Sequence, residues 1–285
     1  MLKVKAYAKL NLNLHVLPRR LSSGLFPVRF LNCQINLFDE LRFVRQNKSI
    51  DLVSDDPRLD HDGNLIVKAA RLLKHMLGDE NLGVKINLKK NIPVKAGLAG
   101  GSCDAAATLT ALTKLWRYRP GRIDLDRLAD QLGKDVHYCL RGGLCQIEGD
   151  GGRVVSLPFR LPRLWLVIVV PEPEKPATAW MYGRLNPNLI GRHLEELEEI
   201  KAAVKIKNKS KTIDHLFNDF SDAAFTAFPS LRQVTHNLID AGARQTLLLG
   251  SGLALAGFFL TRSAAWRAYR QLTDKYSQAI WTHTI

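Results

Sequence analysis

Residues 93–116 read PVKAGLAGGSCDAAATLTALTKLW, a glycine-rich loop that continues into an alanine-rich segment free of glycine and proline. This composition predicts a helix in which Ser102 is the N-cap and Asp104 lies in the first turn. A helix N-terminus offers backbone N–H groups to an anion, and glycine lets a phosphate approach the backbone closely. The loop is therefore a candidate phosphate site for a nucleotide, although a turn that only ends a strand could contain the same glycines.

The spacing of the loop glycines excludes two common phosphate-binding motifs. No Lys-Ser or Lys-Thr pair follows Gly97, Gly100 and Gly101, so the loop is not a Walker A motif. The spacing also differs from the G-x-G-x-x-G of dinucleotide-binding folds. If the loop binds a nucleotide, it belongs to another class of phosphate loop.

Length and composition predict two domains and an anionic ligand. The 285 residues, 46% of them hydrophobic, exceed the usual size of one domain, and the proline-flanked segment 158–162 is the best boundary. We therefore predict an N-terminal domain at 1–160 and a C-terminal domain at 161–285. The net charge of +14 favours nucleotides and phosphorylated metabolites, whereas the lack of aromatic residues within the basic stretch 201–211 disfavours nucleic acid.

The chain lacks the sequence features of secreted and membrane proteins. No apolar run approaches the ~20 residues of a membrane span, and no signal peptide precedes the patterned sequence. The four cysteines form no C-x-x-C pair, which suits a reducing compartment. We therefore expect a cytoplasmic protein that acts as a monomer or a homodimer.

Residues 2–16 alternate between apolar and polar side chains, which predicts a β-strand with one buried face. Lys9, Asn11, Asn13 and His15 share the other face. That face would carry chemistry if the strand lined a cleft, and it would be exposed if the strand lay at an edge. For His15 the exposed position is favoured.

The rest of the chain predicts an α+β fold. Helical patterns alternate with strand patterns, and a strand–turn–strand unit crosses Gly250–Gly252. Helices are expected at residues 64–77, 124–132, 178–186, 189–204, 212–226, 230–241 and 263–275. From residue 164 onward, the order of elements suits helices packed on an antiparallel sheet.

Asp135 could complete a site for phosphoryl transfer. It follows a helix expected to begin at its N-cap Asp124 and to stop at Gly133, so it should lie on a loop or at the start of an element. Phosphoryl transfer needs a phosphate cradle, a cation, and a carboxylate that orients or deprotonates the attacking hydroxyl. The glycine loop, Lys9 and Asp135 supply these groups, and we expect them to meet in one cleft.

Other chemistries fit the sequence less well. His137, Cys139 and Cys145 could ligate a metal, but their spacing matches no common zinc pattern. The turn Gly250–Gly252 is too short for the nucleophile elbow of a hydrolase. A kinase site is thus the favoured interpretation.

The chain resembles the GHMP kinase superfamily over nearly its whole length. Ala8-Lys9-Leu10-Asn11-Leu12 is similar to the first motif, A-K-[IL]-N-L, and residues 93–107 resemble the second, P-x-x-x-G-L-[GA]-G-G-S-S-[ND]-A-A, which is the most specific match. Residues 132–136 resemble the G-x-D-V-P segment, and residues 249–257 resemble the third, glycine-rich motif. Smaller signatures are matched by Asn64-Leu65 and Asn218-Asp219-Phe220.

The resemblance implies a fold and a set of roles. An ATP-binding N-terminal domain of the ribosomal S5 domain 2 type would be joined to a ferredoxin-like C-terminal domain. Asp135 would be the catalytic base and Lys9 its partner, and ATP would bind together with Mg²⁺. The ATP-binding residues would be Pro93, Gly97, Leu98, Ala99, Gly100, Gly101, Ser102 and Cys103. The substrate-binding residues would be Asn11, Phe26, His137, Gly250 and Ser251.

The resemblance also implies an acceptor, and there the chain departs from the family pattern. The branch it resembles phosphorylates a hydroxyl of a cytidine-diphospho-linked sugar alcohol in the non-mevalonate route to isoprenoid precursors. The G-Y-H segment that recognises cytosine is replaced here by Gly24-Leu25-Phe26, which cannot reproduce the histidine hydrogen bonds. The alternatives are a kinase with a cytidine-free alcohol acceptor, and a weakened paralogue that only binds nucleotides or nucleic acid.

Three further positions depart from the family motifs. His137 replaces a proline, Cys103 replaces the second serine of the loop, and Leu249 replaces the serine before the third motif's glycine. A thiolate is stabilised just inside a helix N-terminus. We therefore expect bound ATP to slow the alkylation of Cys103.

Overall fold

The computed structural model describes residues 1–118, 122–172 and 177–285, and the fold is α+β. Backbone contacts divide the chain into two compact units that are interleaved in sequence. The first unit comprises residues 1–9, 37–94 and 99–142, and the second comprises residues 10–36, 95–98 and 143–285. The two domains that we expect, at 1–160 and 161–285, follow one another in the chain, whereas these units are interleaved. The division after residue 160 stays a prediction.

The sheet of the first unit is built from β1 (Leu2–Val16), β2 (Val28–Asn47), β3 (Ile50–Ser54) and β4 (Leu82–Lys89). Its strand order is β3–β4–β2–β1. β4 is antiparallel to β2 and parallel to β3. β1 belongs to this unit up to Lys9 and β2 from Leu37, so both strands continue along the chain into the second unit.

The helices of the first unit are α1 (Leu65–Leu77), α2 (Gly100–Leu115), α3 (Arg122–Leu132) and α4 (Lys134–Arg141). They share a core with the sheet that includes Phe43, Ile86 and Leu109. α1 begins where predicted, because the Asn64 side chain accepts the Ile66 N–H at 2.9 Å. α2 is buried along most of its length, since its alanines let neighbouring elements approach closely.

The strands of the second unit are β5 (Cys145–Gly149), β6 (Arg153–Ser156), β7 (Trp165–Val169), β8 (Phe217–Asn218), β9 (Gln245–Leu248), β10 (Leu255–Phe259) and β11 (Ala279–His283). Its helices are α5 (Thr178–Tyr182), α6 (Glu195–Lys205), α7 (Lys209–Asp214), α8 (Ser221–Ala227), α9 (Leu231–Asp240) and α10 (Arg262–Thr273). The order β11–β7–β10–β9 is antiparallel throughout, as the sequence predicted. A Cβ on Gly257 of β10 would lie 2.9 Å from Leu238, so α9 packs directly on this strand.

Several expected elements need correction. The helix predicted at 212–226 is wrong, because α7 ends at Asp214 and β8 then pairs in parallel with the end of β1, Asn13 opposite Phe217. α3 begins at Arg122, so Asp124 lies in its first turn, where it complements the helix dipole, and is not the N-cap. β3 and α4 were not predicted. No helix in the described ranges combines the length and apolarity that crossing a bilayer requires.

Candidate active site

The helix α2, which follows the candidate phosphate loop, begins at Gly100, three residues earlier than predicted. Its N-cap is Ala99, which has φ 55° and offers no side-chain cap, so the assignment of Ser102 as N-cap is wrong. The first helical hydrogen bond runs from the Cys103 N–H to the Ala99 carbonyl, at 2.9 Å. The N–H groups of Gly100, Gly101 and Ser102 precede this bond and have no partner within the helix, which leaves them suited to an anion.

The loop glycines are required for different reasons. A Cβ on Gly100 would lie 2.8 Å from Lys90 Nζ, whereas on the exposed Gly101 it would meet only Leu65 Cδ1, at 3.6 Å. In the second unit, a Cβ on Gly97 (φ 84°) would lie 1.9 Å from the Leu249 carbonyl oxygen. Packing within the protein therefore demands Gly97 and Gly100, and only Gly101 leaves space for an outside group.

Asp104 was expected in the first turn of α2, where it would complement the helix dipole, and this prediction is wrong because the helix begins at Gly100 and has no acidic residue in its first turn. Its side chain is buried, and Oδ2 lies 3.6 Å from Lys90 Nζ. Burial raises the pKa of Asp104, an effect that Lys90 opposes and Asp39 reinforces. Asp39 itself contacts Lys90 Nζ closely and accepts the N–H groups of Asn91 at 2.6 Å and Ile92 at 2.8 Å.

The predicted catalytic pair, Lys9 and Asp135, belongs to the first unit. Asp135 occupies the first turn of α4, after Gly133, and Lys9 is buried with 5% exposure. The pKa of Cys139 is raised by burial, by the adjacent Cys103 and by the charge of Asp135, while the charge of Lys9 lowers it. Both predicted catalytic residues are thus close enough to the same sulfur for their charges to act on it.

The polar face of β1 continues in the second unit as a buried network. Asn11 donates to Asn32 at 2.7 Å, and Asn13 accepts the Leu31 N–H at 2.9 Å. His15 is completely buried and stacks on Phe217, so its expected exposure is wrong. β1 lies between β2 and β8 in the sheet, so it is not the edge strand on which that expectation depended. Burial, helped by the charge of His193, lowers the pKa of His15 to about 4.

The glycine-rich turn of the third motif is fixed by one side chain in the second unit. Asn218 Nδ2 donates to the carbonyls of Leu248 at 2.8 Å and Gly250 at 2.7 Å. A Cβ on Gly250 (φ 57°) would lie 3.1 Å from the Gly97 carbonyl oxygen and 3.4 Å from Asn11 Oδ1. The predicted residues Asn11, Gly97, Gly250 and its neighbour Ser251 therefore cluster within this unit.

The predicted substrate residues Phe26 and His137 have different neighbours from each other. Phe26 stacks parallel to Tyr182, with ring centroids 6.3 Å apart, and the Arg20 guanidinium lies 3.9 Å from the Phe26 centroid. His137 turns toward α3 instead, where Nε2 lies 3.1 Å from Asp130 Oδ1 and Nδ1 lies 3.7 Å from Asp126. These contacts connect α4 to α3, and the substrate role of His137 stays a prediction.

Some contributors to the site left no recognisable signal in the sequence. Lys90 and Asp39 are 51 residues apart in the chain, and the contact between Cys103 and Cys139 spans 36 residues. Asn218 belongs to a signature that the sequence did show, but its bonds to the turn at 248–250 depend on folding.

Residues 64–145 match the family model of the GHMP kinases N terminal domain, a range that contains the start of α2 and Asp135. The fold also resembles that of L. major mevalonate kinase, with a TM-score of 0.75 over 100% of this chain and 96% of that chain. At 14% identity, this second likeness concerns the fold alone. Fold and site together define a GHMP-type kinase.

Proteins with higher sequence identity to this chain identify its family within the GHMP-type kinases. A crystal structure of 4-(cytidine 5'-diphospho)-2C-methyl-D-erythritol kinase has a TM-score of 0.85 at 31% identity and covers 99% of both chains. The 4-diphosphocytidyl-2-C-methyl-D-erythritol kinase of Prochlorococcus marinus is 42% identical over 96% of this chain and 89% of its own length. That of Dehalococcoides mccartyi is 35% identical over 100% and 99%. The chain belongs to the 4-diphosphocytidyl-2-C-methyl-D-erythritol kinase family and is an ATP-using kinase.

Proposed function

We propose that this chain transfers the γ-phosphoryl group of ATP to a hydroxyl of 4-(cytidine 5'-diphospho)-2-C-methyl-D-erythritol, in isoprenoid precursor synthesis. The observation that carries the proposal lies in the first unit. Cys103, in the first turn of α2, has its Sγ 2.9 Å from Cys139 Sγ, and the charges of Lys9 and Asp135 both act on Cys139. These contacts support a site in which the helix N-terminus, the cation and the carboxylate act together, as phosphoryl transfer requires.

Each of these groups has a distinct role in the reaction. Asp135 orients the acceptor hydroxyl and accepts its proton as the oxygen attacks the γ-phosphorus. Lys9 stabilises the negative charge that develops on that oxygen. The free N–H groups at the start of α2 hold phosphate oxygens, and the open side of Gly101 allows their approach.

Mg²⁺ accompanies the ATP in this proposal. The ion prefers oxygen ligands and usually binds through substrate phosphates with one or two carboxylates. Among the described residues, no group of three or more His, Cys, Asp or Glu side chains could hold a metal by itself. In this proposal the ion arrives with the nucleotide, and the Ser102 hydroxyl is a nearby oxygen donor. Bound there, Mg²⁺ would neutralise phosphate charge.

The cytosine of the acceptor needs a recognition surface other than the family's Tyr-His pair. Leu25 is 51% exposed and offers no ring. Phe26 retains an aromatic face beside Tyr182 and Arg20, and both rings and guanidinium groups stack on bases. We assign Phe26 to stacking on the cytosine, and Asn11, Gly250 and Ser251 to the acceptor side. His137 is left out because of its contacts with Asp126 and Asp130.

A substrate panel tests the acceptor. The purified protein is supplied with ATP, Mg²⁺ and either the cytidine-diphospho substrate or related alcohols without cytidine, and ADP is detected by a coupled assay. Activity should require the cytidylyl group. Turnover of a cytidine-free alcohol, with none of the cytidylyl substrate, would replace this acceptor with the alternative suggested by Leu25. No ADP from any acceptor would instead favour a weakened nucleotide-binding paralogue.

Asp135→Asn tests the assigned base. The amide keeps the shape of the side chain but cannot accept the proton, so kcat should fall about 10²–10⁴-fold while ATP still binds. Asp130→Asn on α3 is the matched control, because it removes a nearby exposed carboxylate that contacts Lys134 and His137. A near-normal rate in Asp135→Asn would remove the residue from the mechanism.

We also propose the cellular compartment in which the enzyme acts. All four cysteines are free, and a reducing compartment keeps them so. We therefore place the enzyme in the cytoplasm. Its assembly as a monomer or a homodimer stays a prediction.

A further inference from the structure

We propose that Cys103 and Cys139 form a dithiol site that a disulfide reagent closes into a reversible cross-link, and that the cross-link stops phosphoryl transfer. Their Sγ atoms lie 2.9 Å apart, about 0.9 Å more than the length of a disulfide bond. A small rotation of the two side chains would bring them to bonding distance. The loss of activity rests on the proposed function, whereas formation of the cross-link does not.

The position of the pair separates it from the other cysteines. Cys33 and Cys145 are buried in the second unit, and burial raises the pKa of Cys33 far above its usual range. Cys103 is also buried, with 4% exposure, but Cys139 is partly exposed. Cys139 is therefore the thiol that meets a reagent, and Cys103 is the thiol that resolves the mixed disulfide.

The reaction is a pair of thiol–disulfide exchanges with a small-molecule disulfide as oxidant. The Cys139 thiol loses its proton and attacks one sulfur of the reagent, which releases the other half as a thiol. Cys103 then loses its proton and attacks the Cys139 sulfur, which releases the second half. Two protein thiols are oxidised by two electrons, and the reagent is reduced to two thiols.

The surroundings set the rate of this chemistry. Burial, the adjacent Cys103 and the charge of Asp135 raise the pKa of Cys139, and the charge of Lys9 opposes them. Little thiolate exists at neutral pH, so cross-linking should be slow there and should accelerate as the pH rises. The site would respond to sustained oxidation and not to brief exposure.

The cross-link would act on the catalytic geometry. Cys139 follows Asp135 by four residues on α4, so the two side chains share one helix face. Cys103 lies next to the free N–H groups of α2. Joining the sulfurs draws the start of α2 toward the helix that carries Asp135. A misplacement of about 1 Å can cost about 100-fold in rate. We expect kcat to fall by about ten- to a hundredfold.

The test measures cross-link and activity separately. Reduced protein is incubated with excess glutathione disulfide at pH 8.5 and digested with trypsin under non-reducing conditions. The expected product joins the peptide 96–114, which contains Cys103, to the peptide 135–141, which contains Cys139. Kinase activity should fall in parallel with this product, and dithiothreitol should restore both the free peptides and the rate.

Variants complete the test. Cys139→Ser should resist inactivation, measured relative to its own activity before oxidation. The matched variant Cys33→Ala, which removes a thiol of the second unit, should cross-link and lose activity as the wild type does. Glutathione adducts without the joined peptides would overturn the dithiol site. A complete cross-link with an unchanged rate would overturn its control of catalysis. Protein that cross-links but is inactive even when reduced would count against the proposed function and not against the dithiol site.

Discussion

Gly101→Ala adds one methyl group that should weaken ATP binding without lowering stability. A methyl at position 101 would make only an ordinary van der Waals contact with Leu65 Cδ1, at 3.6 Å, whereas a methyl at position 100 would meet Lys90 Nζ at 2.8 Å. We expect Gly101→Ala to raise the KM for ATP about tenfold or more, because the methyl stands where the phosphates approach. Its Tm should stay unchanged or rise, since alanine favours a helix. Gly100→Ala should lower the Tm as well. A normal KM in Gly101→Ala would place the phosphates elsewhere.

His15 links stability to pH through its burial. Its pKa is lowered from 6.5 to about 4, mainly by burial, with His193 lowering it and Glu195 raising it. The unfolded chain therefore binds the proton more readily, so the contribution of His15 to stability is complete above pH 6.5 and is lost as the pH falls toward 4. At pH 5 this loss amounts to about 2 kcal/mol. Chemical denaturation at pH 7 and pH 5 should show a smaller loss in His15→Gln than in the wild type. Equal losses would contradict this linkage.

The start of α2 is held to the end of β4 by a buried charge cluster. Lys90 pairs with Asp39, which is inaccessible to solvent, and lies 3.6 Å from Asp104 Oδ2. Lys90→Met should lower the free energy of unfolding by about 3–5 kcal/mol, because it leaves the Asp39 charge buried and unpaired. Asp104→Asn should cost less than about 1 kcal/mol, since a carboxyl with a raised pKa resembles a neutral amide. Urea denaturation measures both values. An equal cost for the two variants would show that Asp104 is charged in the fold.

The turn after β9 illustrates a different way of positioning an element. Asn218 donates to the carbonyls of Leu248 and Gly250 and accepts the Phe220 N–H at 2.9 Å. These three hydrogen bonds fix the turn without any regular secondary structure. The close approach of the Leu249 carbonyl to Gly97 then follows, and it excludes any side chain at position 97.

The pairing of β1 with β8 provides a test of the division expected after residue 160. In the second unit the end of β1 pairs with β8, and the Val16 N–H donates to Asp219 Oδ2 at 2.7 Å. A fragment of residues 1–160 lacks both partners, so it leaves polar and apolar groups of β1 unpaired. We expect the fragment to unfold at a lower temperature than the whole chain and with less cooperativity, as circular dichroism can measure. A fragment as stable as the whole chain would instead support consecutive, independent domains.

Local patterns predicted much of this architecture. The strand at residues 2–16, the helix expected at 64–77 and the turn at Gly250–Gly252 each depend on neighbours in sequence, and the structure contains all three. Prediction failed where distant partners decide the outcome. β8 exists because β1 pairs with it, and Asp104 turns inward because Lys90 and Asp39 lie there.

The sequence by itself determined the α+β class, the kinase family and the residues that supply the chemical groups of the site. These features depend on short motifs and local patterns, which can be recognised from the order of residues alone. Tertiary structure decided which groups meet. It buried His15, made Ala99 the cap of α2 and placed Cys139 against Cys103, near the charges of Lys9 and Asp135. The physical reason is that burial and contact between distant residues depend on the packing of whole elements, and hydrophobic periodicity along the chain does not specify that packing.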